Sequence, residues 1–155
     1  MTDEIVLPAL TIRTATSADL ASVTNLDLRI TAMAKPDFWR DMFERYADRR
    51  GRHFLVAETA ATEVGKFLGF IAGEVRAWEF GSQPCGWIVA IGVNPDQRVQ
   101  RIGERLFEAM NERMRRDGVD TMRTMIARND HLNMSFFRAQ GMMAGPFIEL
   151  EKPLS

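Results

Sequence analysis

Residues 93–106, with the sequence VNPDQRVQRIGERL, combine the residue types and spacing best suited to bind an anion. An apolar run ends at Pro95, the cations Arg98 and Arg101 follow, and Gly103 stands where an amphipathic helical pattern begins. The first N–H groups of a helix have no partner within the helix, and the helix dipole gives that end partial positive charge. Two guanidinium groups beside such N–H groups predict a phosphate site, and the arrangement suits a pyrophosphate.

Three kinds of phosphate site can follow a strand in this way. A nucleotide P-loop requires Gly-Lys followed by Ser or Thr at the helix start, and the segment lacks that sequence. A dinucleotide fingerprint requires Gly-x-Gly-x-x-Gly, whereas this loop contains Gly103 alone. The third kind is a coenzyme A site.

The segment resembles the signature of the GNAT superfamily of N-acetyltransferases. In that signature, a strand with a valine and a nearby proline is followed by Arg or Gln, two residues, Gly, one residue, and Gly or Ala. Val93, Pro95, Arg98 and Gly103 match in register, and Arg101 occupies the place of the first glycine.

A second segment, NDHLNMSFFRAQGM at residues 129–142, resembles the later motif of the same family. In that motif an asparagine opens a short helix, an aromatic pair follows, and Gly-Phe closes it. Here the asparagine aligns with Asp130, and Asn133 follows one turn later. The family's catalytic tyrosine aligns with Phe137, and Gly141 precedes a methionine instead of the usual phenylalanine. Both motifs occur in the family's order, and the order of elements agrees over nearly the whole chain.

The resemblance implies a single GNAT-type domain over residues 1–155, of the α/β (α+β) class, with a central, mixed and splayed β-sheet flanked by helices. It implies acetyl-CoA as the cofactor. The backbone from Ile91 to Val93 would pair with the pantetheine amides like an extra strand, and the loop from Arg98 to Glu104 would hold the pyrophosphate. The implied cofactor-binding residues are Ile91, Gly92, Val93, Arg98, Val99, Gln100, Arg101, Ile102, Gly103, Glu104, Asn133 and Phe137.

The implied activity is acetyl transfer to a primary amine by direct attack in a ternary complex. The acceptor amine would belong to a protein N-terminus, a lysine or a small molecule. The alternative is a non-catalytic acyl-CoA-binding or regulatory module that has kept the cofactor cleft. Turnover with any amine distinguishes the two.

Direct attack requires a group that takes a proton from the amine. A lysine-type ammonium has a pKa of about 10.4, so a base must act directly or through water. The strand WIVAIGV contains no carboxylate. If the turn FGSQPCG is symmetric, Glu74 lies opposite Ile91, close to the expected thioester, and Glu79 is the second candidate. The alternative for Glu74 is an exposed strand residue with no catalytic part. Tyr46, the single tyrosine, is expected in the core or in the acceptor pocket rather than as an acid.

The elements that must position these residues follow the order β-α-α-β-β-β-α-β-α-β. Gly92 lies inside the fourth strand and indicates either a bulge or a close approach to the backbone. The last strand alternates polar and apolar residues and is expected to close the sheet. The predicted strands are LTIRTA, HFLVAET, GKFLGFIAGEVRAWEF, WIVAIGVNP, DTMRTMIA and PFIELEKPL.

Four helices are predicted from apolar spacing and end signals. The first opens at an N-cap, Thr16 or Ser17, and the second is PDFWRDMFERYADRR, which begins at Pro36 and is stopped by Gly51. The third is RIGERLFEAMNERMRRDG, with arginines in its last turn and Gly118 as its stop, and the fourth corresponds to HLNMSFFRAQG.

The composition is that of an ordinary globular protein. The chain has 155 residues, 46% hydrophobic and 26% charged, and its net charge of −1 does not indicate a nucleic acid or an anionic membrane as a partner. Cys85 is the single cysteine, which excludes an internal disulfide and fits a reducing compartment. The N-terminus lacks the basic start and apolar core of a signal peptide, and no apolar run is long enough to cross a membrane. We therefore expect a cytoplasmic monomer or homodimer without a metal site.

Overall fold

The computed structural model of the protein describes residues 9–59, 66–96 and 101–155. The chain divides into a first compact unit that ends at Met125 and a second one from Ile126 to Ser155. The strands are β1 (Leu10–Thr14), β2 (Arg52–Thr59), β3 (Lys66–Arg76), β4 (Cys85–Val93) and β5 (Met122–Arg123). The helices are α1 (Leu20–Thr31), α2 (Pro36–Tyr46), α3 (Ile102–Arg116) and α4 (His131–Ala139).

The five strands form one mixed sheet in the order β1-β2-β3-β4-β5. Neighbours from β1 to β4 are antiparallel, and β5 runs parallel to β4. Parallel neighbours need a crossover, which α3 supplies. The predicted α+β class and mixed sheet are confirmed.

One face of the sheet packs against α1 and α2. Phe70 of β3 joins Leu26 of α1 and Trp39 and Met42 of α2 in a buried cluster, in which the ring centroids of Trp39 and Phe70 lie 5.1 Å apart. The Trp39 indole N–H donates to the buried Asp27 carboxylate at 3.0 Å. This bond ties α1 to α2 and satisfies two polar groups that would otherwise be costly to bury.

The opposite face of the sheet packs against α3, and glycines make this close contact possible. A methyl group at Gly69 would lie 2.7 Å from the Gly92 carbonyl oxygen and 3.2 Å from Leu106 of α3. At Gly73 it would lie 3.0 Å from the Met110 sulfur. Residues two or four apart on a strand share a face. Gly69 and Gly73 are four apart, so together they let α3 lie directly on β3.

Two helix boundaries test the end signals. The first helix opens as predicted, because Thr16 and Asp19 form a reciprocal capping box around a short 3-10 turn before α1. The second begins at Pro36 but ends at Tyr46, four residues before Arg50, the last residue of the predicted helix. Ala47 already has extended backbone, with φ −61° and ψ 128°, and Gly51, with φ +74°, directly precedes β2.

The predicted strands near the C-terminus are shorter than expected or absent. DTMRTMIA contributes only the two residues of β5, and residues 142–155 contain neither helix nor strand. The prediction that PFIELEKPL closes the sheet is therefore wrong. Alternation specifies which side chains would share a face, but a strand forms only where a neighbouring strand can bond to it.

The second unit contains α4, which begins at His131 with Asp130 as its N-cap. The Asp130 carboxylate accepts the Asn133 backbone N–H at 3.1 Å and the Asn133 side-chain amide at 2.7 Å. Phe137 is buried, and Gly141, with φ +89°, lies just beyond the helix. The predicted short helix is confirmed.

Candidate active site

The sheet opens between β4 and β5. Their ladder consists of Gly86 with Met122 and Trp87 with Arg123, and the Thr124 hydroxyl then donates to the Ile88 carbonyl at 3.0 Å. Within the described residues of this unit, no strand pairs with residues 89–93 on that edge of β4. A strand edge of this kind can bond an extended ligand through its backbone groups. Ile91, Gly92 and Val93, predicted to pair with pantetheine, all lie on this edge.

The bulge in β4 lies at Val89 and not at Gly92. Ala72 pairs with Ala90 and Gly73 with Ile88, so Val89 is the extra residue. A bulge bends its strand and increases the local twist, which turns the edge away from its neighbour at the point of separation.

Gly92 marks a close approach, the second of its two predicted roles. A methyl group there would lie 2.6 Å from the Phe70 ring and 3.3 Å from Ile30 at the end of α1. Phe70 belongs to the buried core, whereas Ile30 is 51% exposed. This packing brings the end of α1 against β4.

A second link also joins α1 to the segment after β4. Arg29 contacts Asp96 at 3.1 Å, and the buried Asn94 side chain accepts the Asp96 backbone N–H at 3.0 Å. The loop that leads to α3 is thus fixed at its first residues by α1.

The start of α3 follows this segment in the chain. Ile102 is 1% exposed and anchors the first turn in the core, while Gly103 is half-buried. Glu104 lies 3.7 Å from the Arg101 guanidinium, so that cation is already partly compensated. Arg98, Val99 and Gln100 lie outside the described residues.

Arg101 adopts a left-handed backbone conformation, with φ +53° and ψ +36°. This region is sterically costly for a residue with a Cβ and free for glycine. It is the position at which the GNAT signature has its first glycine. Arg101 therefore makes the turn that a glycine would make, at the cost of backbone strain.

Glu74 lies opposite Trp87 and not opposite Ile91, so the predicted register is wrong. The strands end at Arg76 and Cys85, and the connection over residues 77–84 includes a 3-10 turn, Glu79–Gly81. The hairpin is therefore centred closer to β3 than a symmetric FGSQPCG turn would place it. Glu79 falls in this connection and is half exposed.

A straight row of four residues crosses the sheet at Glu74. Arg52 of β2 pairs with Glu74, Glu74 with Trp87, and Trp87 with Arg123. Directly paired residues share a face, and this face is opposite to α3, because Met114 of α3 lies against Gly86, the neighbour of Trp87. We call these four residues the cross-strand row.

The Glu74 carboxylate is held by two cations and a hydroxyl. Arg76 contacts it at 3.0 Å and Arg52 at 3.5 Å, and Tyr46 of α2 makes a side-chain hydrogen bond to it. Arg76 also lies over the Trp87 ring, 5.2 Å from its centroid. Sequence patterns missed this arrangement, although Glu74 and Arg76 are two apart on a strand and so share a face.

Burial, together with the negative charge and hydrogen bond of Glu74, raises the pKa of Tyr46 to about 12. Tyr46 is 5% exposed, and its ionised form would be both desolvated and repelled. The hydroxyl therefore keeps its proton at neutral pH and acts as a donor to Glu74.

Asn133 and Phe137 lie on α4 in the second unit. The Asn133 amide is bonded to Asp130, and the centroids of Phe136 and Phe137 lie 5.2 Å apart in an edge contact. Phe137 carries no hydroxyl at the position of the family's tyrosine. No helix among the described residues has both the length and the apolar character needed to cross a membrane.

Comparison with known proteins gives one family and many similar folds. The model of the Acetyltransferase (GNAT) family matches residues 20–142. The aminoglycoside N-acetyltransferase AAC(6')-Iy, solved with CoA, has a TM-score of 0.81 and 15% identity, over 96% of this chain and 97% of that chain. AAC(6')-Ih from Acinetobacter baumannii has a TM-score of 0.77 and 14% identity, over 95% of this chain and 100% of that chain. The enzyme meta-AAC0020 from an uncultured soil metagenomic sample, solved with sisomicin, has a TM-score of 0.71 and 17% identity, over 94% of this chain and 97% of that chain. At these identities the likeness shows the fold alone, and no curated protein sequence matches the chain.

The left-handed backbone of Arg101 predicts a stability order for two substitutions. Arg101→Gly and Arg101→Ala remove the same charge, but only alanine keeps the Cβ that makes this conformation costly. We expect the glycine variant to be more stable by about 1 kcal/mol in urea unfolding. An alanine variant as stable as the glycine variant would contradict the strained turn.

The environment of Tyr46 predicts an unusual titration. Because Tyr46 is the only tyrosine, tyrosinate absorbance near 295 nm reports on it alone. With a pKa of about 12, roughly a tenth should be ionised at pH 11 in the folded protein, against roughly nine tenths in the urea-unfolded chain. Far-UV circular dichroism confirms the folded state, and Tyr46→Phe gives the baseline.

The same shift fixes the sign of a stability change. Below pH 10 both states keep the Tyr46 proton, and above it the unfolded state loses the proton first. The wild type should therefore lose more stability than Tyr46→Phe as pH rises from 10 towards 12. A folded-state titration near pH 10 would refute the burial of this hydroxyl against Glu74.

Proposed function

Because the chain belongs to the acetyltransferase (GNAT) family, we propose that it transfers an acetyl group from acetyl-CoA to a primary amine by direct attack in a ternary complex. The predicted family, acetyltransferase activity and cofactor are confirmed at the level of the family. The direct mechanism, the acceptor and the residues that act are the proposal. A single domain over residues 1–155 in a cytoplasmic monomer or homodimer belongs to the same proposal.

The observation that carries the proposal is the open edge of β4 leading towards the start of α3. On the edge away from β3, residues 89–93 pair with no strand among the described residues of this unit, and backbone groups in line there suit the two amides of pantetheine. The first turn of α3 and the left-handed Arg101 follow after the loop, where N–H groups and a guanidinium suit a pyrophosphate. The arrangement fits an extended ligand with an anionic end.

Arg98, Val99, Gln100, Arg101, Ile102, Gly103 and Glu104 form the proposed pyrophosphate segment, and Asn133 and Phe137 are proposed as further cofactor contacts. When bound, acetyl-CoA would supply the acetyl group. The acceptor nitrogen would form the new N–C bond as the C–S bond breaks, and the thiolate that leaves would take a proton from water.

Glu74 is proposed to receive the acceptor's proton through water, with Glu79 as the second candidate. A carboxylate offers about four lone-pair sites. Arg76 and Tyr46 hydrogen-bond to Glu74, and Arg52 forms an ion pair with it at 3.5 Å. A remaining site can accept a bond from water. Protonation of the leaving thiolate needs no side-chain acid, because a thiol has a pKa of about 8.5 and can leave as the thiolate.

The pyrophosphate segment predicts a selective loss of cofactor binding. Gly103→Val crowds the first turn of α3, and we expect the Kd of CoA to rise at least tenfold, which is about 1.4 kcal/mol. Calorimetry with pantetheine, which has no pyrophosphate, should show equal affinity for the variant and the wild type. Arg115→Gln, on the exposed side of α3, is the control. Equal wild-type affinity for CoA and pantetheine would overturn the assignment of this segment.

The proposed base predicts a change in turnover without a change in cofactor affinity. Glu74→Gln should lower kcat/KM for acetyl transfer by tenfold or more, because the amide cannot take a proton. The Kd of CoA should stay within twofold, and Glu44→Gln on the exposed side of α2 should change neither quantity. Activity of Glu74→Gln that equals the wild type from pH 6 to 9 would exclude Glu74 as the base.

A further inference from the structure

The acceptor amine must approach from the face of the sheet that carries the cross-strand row. On the other face, side chains of α3 fill the space up to the backbone at Gly69, Gly73 and Gly86. If pantetheine pairs with residues 91–93, the thioester lies towards the start of β4. That direction leads to Ile88, where β4 and β5 separate, and the row lies one residue before it.

The surface around the row contains more positive than negative charge. Three guanidinium groups, those of Arg52, Arg76 and Arg123, lie with the carboxylates of Glu74 and Glu79. The net charge of this set is therefore +1. A polycationic acceptor is repelled here, whereas an acceptor with carboxylates close to its amine is attracted.

The proton chemistry of the row favours an amine that is easy to deprotonate. Glu74 is the proposed proton acceptor of the row, and its carboxylate already contacts Arg52, Arg76 and Tyr46. At pH 7.5, roughly a third of peptide α-amines are neutral, against roughly one in a thousand lysine side chains. An α-amine next to a peptide carbonyl thus makes the smallest demand on this site.

The turn beside the row offers a surface for more than the reacting amine. Trp78 and Phe80 follow Arg76 and are 72% and 76% exposed. Both have left-handed backbone, with φ +64° and +55°, a conformation that costs a non-glycine residue free energy. Two exposed aromatic rings held on strained backbone next to a guanidinium suit contacts with residues that follow an N-terminal amine.

We infer that the acceptor is the α-amine of a polypeptide N-terminus whose following residues are acidic, bound along the cross-strand row and the turn that carries Trp78 and Phe80. This inference rests on the proposed acetyltransferase function. Arg76 positions the acceptor's carboxylates, and Trp87 supports its guanidinium.

The test is thiol release from acetyl-CoA with a panel of amines at one pH. The panel comprises a lysine-free acidic peptide with a free N-terminus, a basic peptide of equal length with a free N-terminus, an Nα-formylated acidic peptide with one internal lysine, a free amino acid, a polyamine and an aminoglycoside. We expect kcat/KM for the acidic free-N-terminus peptide to exceed every other value at least tenfold. Mass spectrometry should place the acetyl group on its α-nitrogen.

Arg76 supplies the matched variants. Arg76→Gln should raise the ratio of KM for the acidic peptide to KM for the basic peptide about tenfold, because any effect through its contact with Glu74 is common to both peptides. Arg76→Lys should restore part of the preference, since it keeps the charge but loses the stacking on Trp87. Arg115→Gln, an exposed arginine paired with Glu112, is the control and should change neither KM. Thermal unfolding of each variant verifies that the fold is intact.

The outcomes separate the inference from the proposed function. Highest turnover with the internal lysine, the free amino acid, the polyamine or the aminoglycoside overturns the α-amine inference and leaves acetyl transfer standing. Equal values for acidic and basic peptides, or equal effects of Arg76→Gln and Arg115→Gln, overturn the role of the row. CoA binding without turnover of any amine overturns the proposed function, and the inference with it.

Discussion

The contact between α3 and the glycine-lined face of β3 and β4 determines where chemistry can take place in this protein. At Gly69, Gly73 and Gly86 a methyl group would lie 3.2 Å or less from a side chain of α3 or from Met122. The helix therefore has no freedom to shift along the strands without exposing buried methionine and leucine side chains. Its first turn is consequently fixed near the end of β4, with Ile102 as the buried anchor.

Among the described residues of the first unit, two features of the sheet lie away from the face that α3 fills. One is the edge of β4, which opens because β5 follows it for only two residue pairs and because Val89 bulges at the separation. The other is the face shared with α1 and α2, where the cross-strand row lies. The proposed ligand of the edge and the proposed amine over the row would approach Ile88 from different directions.

The charged groups of the row are arranged to be satisfied before any ligand arrives. Glu74 is bonded by Arg76, Arg52 and Tyr46, and Tyr46 keeps its proton because burial and Glu74 raise its pKa to about 12. Half-buried charges of this kind need partners, since an unpaired one would be strongly destabilising. Left-handed backbone occurs at five of the described non-glycine residues, Ala32, Asp48, Trp78, Phe80 and Arg101. The last three of these lie next to the proposed ligand surfaces.

The sequence by itself determined the family, the mixed sheet, most helix starts and the segment proposed for pyrophosphate. Each of these follows from local signals: a capping pair at Thr16 and Asp19, a proline at a helix start, and short motifs with fixed spacing around Val93 and Phe137. Such signals act over a few residues, so they can be read without knowing what lies across the sheet. The same motif identified position 101 as the place where the signature has its first glycine.

Only the tertiary structure decided the strand register, the partners of Glu74 and the loss of the last strand. The register depended on a connection of eight residues between Arg76 and Cys85 and on one extra residue at Val89, and a shift of a few positions moved Glu74 from Ile91 to Trp87. Pairing, burial and charge compensation are properties of residues distant in sequence: Arg52, Tyr46 and Arg76 meet around Glu74 because three elements pack together. The alternating pattern of PFIELEKPL was equally local, but a strand needs a neighbour with free backbone groups, and no local pattern can supply one.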